Sequence, residues 1–395
     1  MNNDTGTSRP WLTGLLALAC GLTAANLYYV QPLAGPIGAA IGLPPSATGL
    51  TVTLTQLGYG LGLLLLVPLG DMVENRRLTL LLLGLATSGL LAAGAARHAL
   101  PFLAASLTIG LGTVAVQVLV PYAAHLAPAQ SRGRAVGTVM SGLMLGIMLA
   151  RPVAGLTAQF AAWPAVFWGS AGAMLLLMAV LARALPVRQP SGRIAYRALL
   201  RSMAMLMVQT PLLRRRAVYQ AALFAAFSAF WTTVPLWLAG PDYGLSPGAI
   251  ALFSLAGAAG AIATPLAGRL ADQGHSRQAT VWAMSLVALA FPLSLAAPSG
   301  SAWGVGVLLV SALMLDFGVA AHLTLGQRAI FSLGAEIRAR LNGLYMATFF
   351  IGGALGSAAS AWCYAHGSWL WVCGLGLALP LLALAYFQAA PPDAA

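Results

Sequence analysis

Apolar runs of about 20 residues, nearly free of charge, follow one another from Trp11 to Phe387, and about 20 residues is what an α-helix needs to cross roughly 30 Å of hydrocarbon. Polar breaks separate them into six runs before one strongly charged stretch and six after it. The runs are continuous in Leu, Ala and Gly, without the period-two alternation of a transmembrane β-strand. They are apolar all round, where helices of a soluble protein would each keep a polar face. The pattern predicts an all-α membrane protein of twelve transmembrane helices in two six-helix bundles. The first expected spans cover about 11–30, 47–69, 78–96 and 101–124, and the tenth about 303–325.

The charged stretch divides the chain into an N-terminal bundle over 1–184, a linker over 185–217 and a C-terminal bundle over 218–395. The linker holds Arg188, Arg193, Arg197, Arg201, Arg214, Arg215 and Arg216, in a chain where 7% of residues are charged. Arg193, Arg197 and Arg201 recur every four residues, with Ala195, Leu199 and Leu206 opposite. That spacing predicts a short amphipathic helix on the inner leaflet, ended by Pro211.

Charge then fixes orientation. The net charge of +12 would fit a nucleic-acid binder, but its placement argues otherwise. With the N-terminus inside, twelve spans put eighteen of the twenty Arg in cytoplasmic segments, Arg97 outside and Arg151 within a span. This is the positive-inside asymmetry of a cytoplasmic (inner) membrane protein with both termini cytoplasmic, and its basic side attracts anionic membrane lipids. Cys20, Cys363 and Cys373 have neither metal-ligand nor redox-motif spacing and read as small apolar residues. No cofactor and no metal are expected, and a monomer is.

Polar side chains gather in particular spans. Span 1 ends in Asn26, Tyr28, Tyr29 and Gln31, and helical spacing puts Tyr29 on the face of Asn26. Span 2 carries Gln56 and Tyr59, span 4 Gln117, span 5 Arg151, span 10 Asp316 and span 11 Tyr345. Gln220, Phe224, Phe227 and Trp231 share one face of span 7. Spans 3, 6, 9 and 12 are nearly bare. Ordinary packing and interhelical hydrogen bonding account for such residues as well as lining of a watery passage does, and both readings stand at this point.

Two internal echoes point to duplication. Asp71 after the second span matches Asp272 after the eighth, each followed five residues later by Arg (Arg76, Arg277), and Arg77 extends the first basic pair. Arg132-x-Arg-x-x-Gly137 matches Arg338-x-Arg-x-x-Gly343, and Gly146 then matches Gly352. Six spans repeated in parallel orientation explain both.

On these residues the chain resembles the major facilitator superfamily over nearly its whole length. Asn26-Leu27-Tyr28-Tyr29-Val30-Gln31-Pro32, Leu57-Gly58-Tyr59-Gly60 and Gly70-Asp71 with Arg76-Arg77 are similar to bacterial exporters of the drug–proton antiporter branch and its nucleoside and sugar efflux relatives. The loop departs from the superfamily pattern at Val67, Met72 and Glu74, and span 4 lacks the Arg usual in drug antiporters. The resemblance implies the two-bundle facilitator fold, with spans 1, 4, 7 and 10 lining a central cavity, and a gating role for the loop of Asp71, Arg76, Arg77, Arg132 and its copy, Asp272, Arg277, Arg338.

The expected function is secondary transport by alternating access, a small organic solute leaving in exchange for protons. A carboxyl at mid-membrane costs about 2.5–3.5 kcal/mol on insertion scales. Asp316 is therefore the candidate for taking up and releasing the proton, with Arg151 as its partner or as the partner of an anionic solute group. The predicted substrate-binding set is Asn26, Tyr29, Gln31, Gln56, Tyr59, Gln117, Gln220, Phe224, Phe227, Trp231 and Tyr345. An uncoupled facilitator and a proton-coupled importer are the rivals within transport. An enzyme is not expected, because no H-E-x-x-H or other converging catalytic set occurs, and no Gly-x4-Gly-Lys-[Ser/Thr] loop supports nucleotide-driven pumping. A receptor would not require ionisable groups deep in its spans.

Overall fold

The computed structural model describes residues 10–187, 195–334 and 336–390. All regular elements among them are helical, as lipid demands of a backbone that must satisfy its own polar groups. In chain order these are α1 (Pro10–Ala25), α2 (Ala34–Ala40), α3 (Leu50–Leu65), α4 (Asn75–Ala95), α5 (Ala99–Thr113), α6 (Ala115–Leu126), α7 (Arg132–Phe160) and α8 (Pro164–Ala184). There follow α9 (Tyr196–Gln209), α10 (Pro211–Ala239), α11 (Pro247–Phe253), α12 (Ala259–Asp272), α13 (Ser276–Leu295), α14 (Ala302–Phe331) and α15 (Arg338–Ala389).

Among the described residues, ten stretches are long and apolar enough to cross a membrane. The 52-residue α15 supplies two passages, because its helical dihedrals fail at Gly367 and at Ser368, whose φ is 60°. Its two ends return to one side of the molecule: Leu341 and Leu344 pack with Leu213 of α10, while Phe387 meets Tyr219 and Arg216 of the same helix. With the shorter α1, the passages number twelve among the described residues.

The duplicated glycines do the same work in both halves of the chain. A Cβ at Gly146 would lie 2.1 Å from the Gly21 carbonyl oxygen, and one at Gly352 2.4 Å from that of Ala221. So α7 sits directly on α1, and the first limb of α15 on α10, at distances that only backbone-to-backbone packing allows. Arg76 and Arg277 each meet the end of the last helix of their own half. Arg76 donates to the Ala182 and Leu185 carbonyls at the end of α8, and Arg277 lies 5.4 Å from the ring of Phe387 at the end of α15.

Three features differ from the sequence pattern. α1 stops at Ala25, and the amides of Asn26, Leu27 and Tyr28 bond three residues back instead of four. The chain then passes through a 3-10 turn at Gln31–Leu33, where Pro32 has no N–H to give a helical ladder. Residues 211–217, assigned to the linker, already belong to α10, with Pro211 in its first turn. The amphipathic helix does form as α9, but it does not lie on lipid with its apolar side. Leu199 and Met203 are buried, and Met203 packs on Leu213, Leu341 and Leu344 of α10 and α15, while the Tyr196 hydroxyl donates to the Leu65 carbonyl at 2.8 Å. Arg188 and Arg193 lie outside the described residues.

Candidate functional site

Two buried groups of opposite charge lie close together across Trp231. Arg151 on α7 and Asp316 on α14 are 3% and 6% exposed. Trp231 of α10 stands between them. Its indole N–H donates to Asp316 Oδ2 at 2.9 Å, and its ring face lies 4.2 Å from the Arg151 guanidinium carbon. Tyr28 and Phe227 flank the same guanidinium at 5.3 and 5.4 Å. A cation held over aromatic faces and shielded from water gains about 2 kcal/mol or more from such contacts. Arg151 Nε donates to Gln31 Oε1 at 2.7 Å.

The backbone makes room for this arrangement where helices are interrupted. The 3-10 segment Ser254–Ala258 separates α11 from α12, and a Cβ at Gly257 would lie 2.9 Å from Arg151 Nη1 and 3.4 Å from Asp316 Oδ1. Gln31 belongs to the 3-10 turn after α1. Interrupted helices at mid-depth are where carriers of duplicated spans hold solute and ions.

Two donors at the centre have no partner. Arg151 Nη2 and Gln31 Nε2 are buried without a hydrogen bond, and Gln31 itself is 1% exposed.

A second group of the expected residues adjoins the first along α10. Phe224 stacks on Phe349 at 3.6 Å and on Phe227 at 5.1 Å, and Tyr59 packs on Phe350 at 4.4 Å. Gln117 donates to the Tyr59 hydroxyl at 3.0 Å, and Gln56 donates to Ser228 Oγ at 2.9 Å, joining α3 to α10. Gln220 and Tyr345 belong elsewhere. Gln220 accepts from His322 and donates to the Val319 carbonyl, and a Cβ at Gly326 would press on the buried Tyr345 hydroxyl. Asn26 accepts from Ser170 of α8 at 2.6 Å, and Tyr29 also faces Ser170, so both turn away from Arg151. Asn26 and Tyr29 do share a face, as both meet Ser170, although α1 has already ended and the turn after it carries them. The residue that points inward is Tyr28, and no periodicity within the run distinguishes it.

At the Arg-rich end, Asp272 pairs with Arg328 at 2.6 Å and both are more than half exposed. Asp71, itself exposed, ends a 3-10 turn, Glu74 caps α4 by accepting from the Arg76 and Arg77 amides, and Arg338 Nε donates to the Phe331 carbonyl at 3.2 Å. Arg132 opens α7 exposed.

One face of α7 records how the two sets of helices meet. Gln159 meets Gly248, Gly155 meets Ala251, and Arg151 meets Gly257. Toward the arginines, the same face carries half-buried Met148, then Met144 and Ser141, which are exposed, and α12 carries exposed Ile262 and Leu266. α7 is therefore closed on α11 at the end away from the arginines and parts from α12 toward them. On the other flank, Thr53 donates to the Ala354 carbonyl at 3.0 Å and Ser357 to that of Gly49 at 3.1 Å, tying α3 to α15.

Twelve passages with parallel duplicated packing around a buried Arg and Asp define a helical membrane carrier. A family model described as "Major Facilitator Superfamily" matches residues 16–310 and 218–395. The chain is 41% identical over 376 residues to an Escherichia coli O157:H7 protein described as "Uncharacterized transporter YgaY", covering 95% of this chain and 94% of that one. It is 36% identical over 363 residues to "Probable transporter SCO4007" of Streptomyces coelicolor, covering 91% and 83%. Among solved structures, the nucleoside transporter NupG superposes with a TM-score of 0.79 at 12% identity, over 95% of this chain and 98% of that one. A bacterial homologue of the human lysosomal transporter Spinster, inward-facing and unoccupied, gives 0.77 at 16% identity over 97% of each. The chain belongs to the major facilitator superfamily. It is a multi-pass membrane transporter and not an enzyme, and a transporter binds a small-molecule substrate.

Proposed function

We propose that this transporter exports a small organic solute across the cytoplasmic membrane by alternating access, its flux tied to protons through Asp316. The observation that carries the reading is the buried triad Arg151–Trp231–Asp316, which joins α7 of the first half to α10 and α14 of the second. A carboxyl that touches groups from both halves changes its surroundings whenever the halves move, and protonation can then favour one arrangement over another. Residues 10–184 and 211–390 act as the moving bodies, and the segment between them acts as the tether. The arginine distribution supports a cytoplasmic location for both termini. With that orientation, the parting of α7 from α12 supports an arrangement open to the cytoplasm. Asp71, Arg132 and their duplicated counterparts Asp272 and Arg338 act as gate contacts when the cytoplasmic ends come together. Outward movement follows from the likeness to exporters.

Reconstituted vesicles with an imposed pH gradient test this, using a panel of sugars, nucleosides, amino acids, organic acids and cationic drugs. The expected result is gradient-dependent flux of at least one class by the native chain and gradient-indifferent flux by Asp316→Asn. Gradient-driven flux unchanged in Asp316→Asn would remove Asp316 from the coupling.

A further inference from the structure

The central site has an excess of donors. Arg151 Nη2 and Gln31 Nε2 are both unpartnered, both side chains are more than nine-tenths buried, and the two are joined through Arg151 Nε and Gln31 Oε1, with Arg151 Nη1 beside Gly257. Asp316 does not reach the guanidinium: its Oδ2 accepts from Trp231, and its Oδ1 faces Gly257 from the other side. An unpaired donor on a buried cation calls for an acceptor, and a guanidinium fork with a neighbouring amide matches a carboxylate in geometry as well as charge. Around it, Tyr28, Phe227 and Trp231 present flat apolar faces.

We infer that the solute is a carboxylic acid with a planar or aromatic body, held at Arg151 and Gln31, and that it binds together with a proton on Asp316. This rests on the transport reading above and gives it a substrate class and a sign of coupling. The charged or titratable groups facing Asp316 are Arg151 from α7 and Tyr28 from the turn after α1, and α10 presents the Trp231 N–H. One positive and one negative charge make the site itself neutral. A bound carboxylate adds a second negative charge beside Asp316. Like charges about 6 Å apart in a protein interior oppose each other's binding by roughly one to two orders of magnitude. Protonation of Asp316 removes that penalty and frees the whole guanidinium charge for the solute. Proton and acid therefore favour each other's binding, by the same factor in each direction. The exchange expected from the sequence thus gives way to co-movement, the acid leaving with its proton.

The test is binding to the full-length chain in lipid nanodiscs at pH 6 and pH 8, with benzoate as probe and benzamide and benzamidine as its uncharged and cationic counterparts. Benzoate is expected to bind about tenfold or more tightly at pH 6 than at pH 8, and about tenfold more tightly than benzamide. In Asp316→Asn it should bind with the tighter constant at both pH values, a retained function that shows the variant is folded. Arg151→Gln should lose benzoate binding. No benzoate binding by the native chain, equal affinity at both pH values, or benzamide or benzamidine binding as tightly as benzoate would each overturn the inference. Gradient-driven vesicle flux confined to neutral or cationic solutes would overturn it too, leaving the transport reading intact. Absence of coupled flux for every solute class would remove the reading beneath it.

Discussion

At the scale of the residue, the decisive contacts are those of Trp231. Its N–H meets the carboxylate and its ring the guanidinium, so one side chain carries both halves of the charge pair. Trp231→Phe keeps an aromatic face near Arg151 and removes the donor. A hydrogen bond to a charged group contributes about 1.5–3 kcal/mol, so vesicle flux should fall about tenfold or more with the protein still present in the membrane. Trp231→Leu, which removes both contacts, should cost more. Equal flux in Trp231→Phe and the native chain would show that the hydrogen bond is incidental. Arg151, Asp316, Trp231, Phe227 and Gln31 all stand out in the sequence as polar or aromatic residues inside apolar runs. Ser228 and Gly257 do not, and Tyr28 stands out no more than Tyr29 beside it, because their roles depend on where α1 stops and on which helix lies opposite.

At the scale of the element, the glycine echo is a packing device whose two copies can be compared. Gly146 and Gly352 leave no room for a methyl group, whereas a Cβ at Gly172 would meet nothing within 4 Å. Gly146→Ala and Gly352→Ala should each destabilise the detergent-solubilised protein by about 1–3 kcal/mol through overpacking, read as a lowered thermal midpoint. Gly172→Ala should leave the midpoint unchanged or raise it slightly, since Ala is the better helix former. α9 teaches the complementary lesson. Its periodicity correctly announces a helix with one apolar side, but an apolar side is equally content against lipid or protein. What places it across Leu65 of α3 and Leu341 of α15 is the position of the linker between two bundles.

At the scale of the whole molecule, the end of α3 away from the arginines is fastened to the first limb of α15. An ideal Cβ at Gly49 would lie 2.4 Å from the Ser357 carbonyl oxygen and 2.7 Å from the Cβ of Ala361, so backbone meets backbone here too. Gly49→Ala should therefore loosen the fastening and destabilise the solubilised protein by about 1–3 kcal/mol, read as a lowered thermal midpoint. An unchanged midpoint would mean that α3 and α15 shift apart there without cost.

Length, apolarity and the placement of arginine were enough to determine twelve helical passages, because each passage answers separately to the thickness and dryness of a bilayer. The internal echoes were legible for the same reason: duplicated loops and glycines repeat along the chain itself. The site was legible only as a set of unusual residues. Arg151 and Asp316 are 165 positions apart, and nothing local states that one indole links them, that Asn26 and Tyr29 turn to α8, or that two donors are left without partners. Those facts belong to the packing of helices from both halves around interruptions in their backbones, and only the tertiary structure decides them.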